Sequence, residues 1–105
     1  LKTINGGIGI QQISTNVPEG FELSQNYPNP FNPVTNINFS VPKSGVVKLT
    51  VYDASGRETA TLFNGRLSAG TYNYDFDASQ LASGIYFYKL ESNDFSQTKK
   101  MVLIK

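Results

Sequence analysis

Two aspartates at alternate positions, followed by a serine, are the side chains of this sequence that could bind a metal ion. Asp75, Asp77 and Ser79 would offer hard oxygen ligands of the kind that Ca²⁺ takes. A calcium loop also needs further carboxylate or carbonyl ligands at close spacing and a glycine at a fixed position. We therefore favour the alternative, in which Asp75 lies on the solvent face of a strand and Asp77 makes an Asx-type turn at its end. The sequence predicts no metal site and no cofactor.

The composition offers few groups for catalysis by a nucleophile and a base, because the 105 residues include no histidine and no cysteine. Their absence excludes the serine–histidine triad, thiolate chemistry, cysteine zinc sites and disulfides. Residues 53–57 are explained as a β-turn that has Asp53 first and Gly56 last. A serine–lysine dyad would need a buried lysine, and paired carboxylates around a sugar cleft would leave so small a domain little hydrophobic interior. We expect a protein that is not an enzyme.

The charge of the chain gives no support for a polyanionic partner. Nine basic and eight acidic residues are spread along the sequence, for a formal net charge of +1, and the adjacent basic pair is Lys99-Lys100. Nucleic acids and anionic membrane surfaces are bound by clustered basic residues. No apolar run approaches the roughly 20 residues that span a bilayer as a helix. The sequence therefore predicts neither a nucleic-acid partner nor membrane insertion.

The pattern of residues from position 21 onward predicts seven β-strands. In the clearest of them, Ile37, Phe39 and Val41 alternate with polar residues. Turn signals separate the strands, and Asn64-Gly65 is expected to reverse the chain. The predicted strands cover residues 21–24, 35–41, 46–52, 57–63, 71–76, 85–91 and 95–105. Such a series is typical of an antiparallel β-sandwich.

The alternation within these strands divides the large side chains between core and surface. The apolar residues expected in the core are Ile37, Phe39, Val47, Leu49, Val51, Leu62, Phe76, Phe87 and Leu90. The tyrosines expected outside are Tyr52, Tyr72, Tyr74, Tyr86 and Tyr88. An exposed aromatic face is typical of carbohydrate-binding modules, but tyrosine also has a high strand preference, and the chain has no tryptophan. An adhesion or carbohydrate-binding module remains an alternative.

Residues 1–20 differ in composition from the rest of the chain. They are rich in glycine and amide side chains, and we interpret them as a linker or extended arm before a domain at 21–105. The isoleucines Ile4, Ile8 and Ile10 could support one extended strand. Such a strand could add to the open sheet edge of a second copy, which would make the protein a fibre subunit that forms homo-oligomers through residues 1–20.

Four motifs, in this order, resemble those of the C-terminal sorting domains of type IX-secreted proteins. The first is the signature loop Tyr27-Pro28-Asn29-Pro30-Phe31-Asn32-Pro33, which is also similar to a loop in the immunoglobulin-like domain of the flagellar hook-capping protein. The second, residues 47–57, is a strand that enters a tight glycine turn. The third occurs at residues 67–72 and again at 81–88, and the fourth is the basic and apolar ending at 98–105.

This resemblance implies a seven-stranded antiparallel immunoglobulin-like β-sandwich that acts as a signal. It implies an upstream cargo domain, transit through the periplasm, recognition by the outer-membrane translocon and removal by a surface sortase within residues 1–20. The cargo then stays on the cell surface or is released outside. The residues expected to form the recognition site are Gly84, Ile85, Tyr86, Lys99, Lys100, Met101, Val102, Leu103, Ile104 and Lys105.

Overall fold

A computed structural model describes residues 9–93 and 95–105, which form eight β-strands. They are β1 (Ile10–Ser14), β2 (Glu22–Leu23), β3 (Val34–Val41), β4 (Gly45–Asp53), β5 (Glu58–Leu67), β6 (Gly70–Asp77), β7 (Gly84–Ser92) and β8 (Phe95–Leu103). Two antiparallel sheets have the strand orders β1-β6-β3-β2 and β5-β4-β7-β8. These residues include no helix, and hence none long and apolar enough to cross a membrane. The all-β antiparallel class is confirmed, but the number of strands is eight and not seven.

The additional strand lies in the segment that we interpreted as a linker or extended arm. Strand β1 pairs with β6 of the same chain, from Ile10 opposite Tyr74 to Ser14 opposite Thr71. Its side chains alternate weakly, because Gln12 is exposed although it is two residues from Ile10, which packs against the core. A short, mostly polar strand of this kind gives little periodic signal in the sequence. Positions 4 and 8, the other isoleucines of the predicted arm strand, lie outside the described residues.

One hydrophobic core lies between the two sheets, and the clean alternation of β3 and β4 builds much of it. The predicted core residues that are buried are Ile37, Phe39, Val47, Leu49, Val51, Phe76 and Leu90. Leu62 is only partly buried, because β5 is an edge strand and a register shift interrupts its pairing with β4 between Leu49 and Thr50. The core also contains side chains from outside the predicted set, among them Leu23, Phe31, Met101 and Leu103.

In the first half of strand β7, the side chains point to the opposite faces from those predicted. Phe87, expected in the core, is half-buried on the outer face, whereas Tyr86 and Tyr88, expected outside, are buried. Both faces of this strand carry large apolar side chains, so alternation does not determine which face is inside. Tyr72 of β6 is likewise buried, not exposed, and Tyr52 and Tyr74 are half-buried.

The buried tyrosines are tolerated because each hydroxyl has a hydrogen-bond partner. Tyr88 Oη donates to Ser24 O at 2.7 Å and accepts a hydrogen bond from Asn26 N, also at 2.7 Å. Burial raises the pKa of the Tyr88 hydroxyl to about 12. The five tyrosines therefore do not form an exposed sugar-stacking face.

The chain reversal predicted at Asn64-Gly65 is wrong. Both residues lie within β5, where Asn64 pairs with Lys48 and Gly65 with Val47. The turn follows instead at positions 68–69, between the end of β5 and Gly70. Gly70 has φ +154°, and an added Cβ would lie 2.6 Å from the carbonyl oxygen of Ser14, so glycine is required there.

Replacing Phe39 with alanine is expected to lower the free energy of unfolding by about 3–5 kcal/mol, because it leaves a large cavity in the core. The Phe39 ring is 1% exposed, and its centroid lies 5.6 Å from that of the Tyr72 ring, against which it stacks. Urea denaturation followed by circular dichroism measures the change. Val34→Ala on the same strand is the control, because Val34 is 46% exposed and should change the stability by less than about 0.5 kcal/mol. A loss below about 1 kcal/mol for Phe39→Ala would contradict the packing described here.

Candidate interaction site

The signature loop is held in place by a buried polar cluster at its base. Asn26 and Thr35 are almost fully buried, and Asn26 Nδ2 donates to Thr35 Oγ1 at 3.0 Å and to Pro28 O at 3.1 Å. Thr35 Oγ1 donates to the same carbonyl at 2.8 Å. The Phe31 side chain enters the core, with its ring centroid 6.2 Å from that of Phe76. These contacts fix the backbone of a loop whose prolines cannot donate to a sheet.

The same loop covers the outer edge of strand β8. Phe31 N donates to Val102 O and Phe31 O accepts from Ile104 N, both at 2.9 Å, in a short parallel bridge. Asn29 Oδ1 accepts from Val102 N at 3.0 Å, and Gln25 Nε2 donates to Lys100 O at 2.7 Å. We call Gln25, Asn29 and Phe31 the edge cap. Because it occupies these backbone groups, a partner strand cannot pair with this stretch of β8 while the cap is in place.

The last residue is fastened to the loop that leads into β7. Lys105 Nζ donates to Ser79 O at 2.7 Å and to Leu81 O at 2.8 Å, and Lys105 N donates to Ser83 Oγ at 3.0 Å. The terminal residues, the signature loop and the 79–84 loop therefore meet at one end of the domain.

A local structure explains why the third motif occurs twice. Tyr86 Oη donates to Ala82 O and Tyr72 Oη donates to Ser68 O, each at 2.7 Å and each four residues back. In both copies a glycine with positive φ precedes the tyrosine by two residues, at +156° for Gly84 and +154° for Gly70. The tyrosine closes the corner that brings the chain into the next strand.

The outer face of β7 and β8 carries an apolar patch at this same end. Ile85 is directly opposite Val102, and Phe87 is directly opposite Tyr52 on the neighbouring strand β4. Ile85 is 45% exposed, and the other three are half-buried. We call these four residues the outer patch.

The turn between β4 and β5 borders the outer patch and is held by Asp53. Its Oδ1 accepts from Ser55 Oγ at 2.6 Å, from Ser55 N at 2.9 Å and from Arg57 N at 3.0 Å, and Arg57 Nε donates to Oδ2 at 3.2 Å. These hydrogen bonds, that of the Ser55 hydroxyl foremost, hold the pKa of Asp53 down at about 2. Every interaction of this carboxylate serves the predicted turn. A shallow hollow of about 410 Å³ separates the turn from Gly84 and Ile85.

The structure divides the ten predicted recognition residues between surface and interior. Those with exposed side chains or backbone are Gly84, Ile85, Lys100, Ile104 and Lys105; Lys99 and Val102 are half-buried; Tyr86, Met101 and Leu103 are buried. The buried three stabilise the fold, so only the others are accessible to a partner. Of the signature loop, Tyr27, Pro28, Asn29, Pro30 and Asn32 are exposed, Pro33 is half-buried and Phe31 is buried. Phe87 follows Ile85 by two residues on β7 and so shares its face, although it was predicted to lie in the core. Tyr52 could not be predicted as a neighbour of this pair, because that requires the register of β4 against β7.

The residues considered as calcium ligands have other interactions. Asp77 Oδ1 accepts from Ser79 N at 2.9 Å, which is the predicted Asx-type turn, and Asp75 Oδ1 accepts from Asn73 Nδ2 at 2.8 Å. Within residues 9–93 and 95–105, no three acidic, histidine or cysteine side chains lie close enough together to hold a metal ion.

Comparison with known proteins identifies the motifs as a family pattern. Residues 25–105 match the family model described as a secretion system C-terminal sorting domain. Neither the curated proteins nor the solved structures include a significant match.

Proposed function

This chain belongs to the family of secretion system C-terminal sorting domains, and from that premise we propose that the outer patch is the surface that the type IX translocon recognises. Membership of the family supports a sorting signal, contact with the type IX secretion machinery, and export to the cell surface or outside. Transit through the periplasm, an upstream cargo domain and removal by a surface sortase complete the proposal. In this proposal the domain acts as a rigid ligand of the translocon and not as an enzyme.

The observation that carries this proposal is the position of Ile85 and Val102. They are cross-strand partners on the outer face, next to the terminal residues and the 79–84 loop. An apolar side chain that is nearly half exposed gains free energy when a partner covers it. The edge cap favours recognition through this face over pairing with the edge of β8, because it already bonds Lys100, Val102 and Ile104.

We also propose that the two sheets form an immunoglobulin-like sandwich. With β3, β4, β6 and β7 taken as strands B, C, E and F, the sheet orders place B beside E and F beside C, as in that fold. Tyr86 lies near the start of the strand taken as F, and its hydroxyl donates a hydrogen bond to Ala82 O, four residues back. This contact is the tyrosine corner of immunoglobulin-like domains. An experimental structure whose sheets pair these strands differently would contradict the assignment.

The segment between β1 and β2 is where we propose that the sortase cuts. Residues 15–20 belong to no strand, and Val17 is 69% exposed. Exposed connecting segments are the preferred sites of proteolysis. Because residues 10–14 pair within their own sheet, we keep the sorting signal as the single proposed function. A homo-oligomer through residues 1–20 stays a prediction.

Replacing Ile85 with serine is expected to reduce secretion about tenfold, because the translocon loses one apolar side chain that it would cover. The 105-residue chain is fused to a reporter with an inner-membrane signal peptide, and surface and medium fractions are measured in a host with a type IX system. Val46→Ser is the matched control, because Val46 is 46% exposed on β4, in the same sheet but toward its other end. It should leave secretion unchanged.

Thermal unfolding of both purified variants checks that each is folded. Equal secretion by the two variants would contradict recognition through the outer patch, while leaving the sorting signal in place. Retention of the unaltered fusion in the periplasm would overturn the sorting function itself.

A further inference from the structure

The outer face of the other sheet holds a hollow lined by amide side chains, and the proposed recognition through the outer patch does not use it. It measures about 380 Å³ and is bordered by Ile13, Gln25, Tyr27, Asn36, Asn38 and Asn73. Volumes of this order are typical of small-ligand sites. The hollow lies on β3 and β6, where Asn38 and Asn73 are cross-strand partners, and β1 forms one side of it.

Two of the asparagines in this hollow occupy strand positions where asparagine is uncommon. Asn36 and Asn38 lie in the middle of β3, although asparagine is among the residues that strands disfavour. Their side chains make no hydrogen bond to any other described residue, whereas the side chains of Gln25 and Asn73 each make at least one. Both side chains are exposed, so their amide groups are available to a ligand.

One wall of the hollow is the side chain of Tyr27, whose backbone is held against strand β3. Tyr27 N donates to Asn36 O at 3.0 Å, and Tyr27 O accepts from Asn36 N at 2.9 Å. These bonds use only the backbone, and the side chain remains 79% exposed. A tyrosine ring therefore stands beside two amides whose donors and acceptors are available.

The charges around the hollow disfavour an anionic ligand. None of the lining side chains is basic, and Asp75 lies opposite Asn36 and accepts from Asn73 Nδ2. Amide groups donate and accept at once, as adjacent hydroxyl groups do, and an aromatic ring packs against the C–H face of a sugar. From this combination we propose that the hollow binds a neutral carbohydrate, with Tyr27 packed on the sugar ring and Asn36 and Asn38 hydrogen-bonded to adjacent hydroxyls.

Titration of the ¹⁵N-labelled 105-residue chain with neutral oligosaccharides tests this site without any secretion machinery. Cellohexaose, mannohexaose, xylohexaose and laminarihexaose are each added to about 10 mM, because an open hollow is expected to bind with a Kd near the millimolar range. At least one should shift the side-chain amide signals of Asn36 and Asn38. Tri-galacturonate, an anionic sugar, should bind at least about tenfold more weakly.

Variants assign the binding to the hollow. Tyr27→Ala and Asn38→Ala should each weaken binding about tenfold, and Tyr27→Phe, which keeps the ring, should weaken it less than about threefold. The matched control is Asn64→Ala, which removes an amide from the edge strand of the other sheet and should have no effect. Thermal unfolding confirms that the variants are folded. The proposal is overturned if none of the four sugars shifts these signals, if tri-galacturonate binds as well, or if Tyr27→Ala binds unchanged.

Discussion

Replacing Tyr88 with alanine is expected to lower the free energy of unfolding by about 5 kcal/mol or more, and so to leave the domain at the limit of stability. The side chain is fully buried, and removing an aromatic ring from a core costs about 3–5 kcal/mol. The loss also leaves Ser24 O and Asn26 N without their hydrogen-bond partner, at about 1–3 kcal/mol for a buried group. Urea denaturation of the purified chain measures the change.

One further substitution separates the contribution of the Tyr88 ring from that of its hydroxyl, and another serves as an exposed control. Tyr88→Phe keeps the ring and should cost about 1–3 kcal/mol, because only the two hydrogen bonds are lost. Tyr27→Ala removes the same side chain from an exposed position and should cost less than about 1 kcal/mol. If Tyr88→Phe were as stable as the unaltered protein, the bridge to Ser24 and Asn26 would contribute nothing, and the buried orientation of Tyr88 would be in doubt.

Removing residues 101–105 is expected to abolish cooperative unfolding altogether. Met101 and Leu103 are buried in the core, and each such side chain contributes about 2–5 kcal/mol. The deletion also takes away Val102 and Ile104, which bond the edge cap. Together these losses approach the roughly 5–15 kcal/mol by which a domain is stable. Circular dichroism during thermal unfolding shows whether a transition remains.

The control for the truncation is Ile104→Ser, which keeps the backbone bonds and changes a side chain that is 52% exposed. It should shift the stability by less than about 1 kcal/mol. A truncated chain that still unfolds cooperatively near the original midpoint would show that β8 is dispensable for the fold. If the prediction holds, loss of secretion after such a deletion says nothing about recognition, and only exposed positions such as Ile85 are informative.

The sequence predicts those parts of the fold in which one face of a strand is apolar and the other is polar. Alternation of Ile37 and Phe39 with polar residues places both in the core, and Val47, Leu49 and Val51 follow the same rule. The rule fails in β7, because tyrosine has both an apolar ring and a polar hydroxyl. Whether Tyr88 is inside depends on Ser24 and Asn26, which lie more than 60 positions earlier in the chain.

The candidate site is harder to predict than the fold, because it depends on contacts between distant segments. Each motif of the family can be found in the sequence, but the bonds from Phe31 to Val102 and Ile104 cannot. They require that two sheets and the loop between them be in place. Which recognition residues are accessible is equally a result of packing, since Met101 and Val102 are adjacent in β8 and only Met101 is buried in the core.

The edge cap can form only late in the folding of the domain. Asn29 and Val102, which it joins, are 73 residues apart, and closing so long a loop costs entropy before the contact can contribute any stability. Whenever the chain emerges with its first residues leading, the signature loop arrives long before β8 and has no strand to bind. A translocon that touches the loop and the last strand together would therefore meet them as neighbours only on a domain that has finished folding.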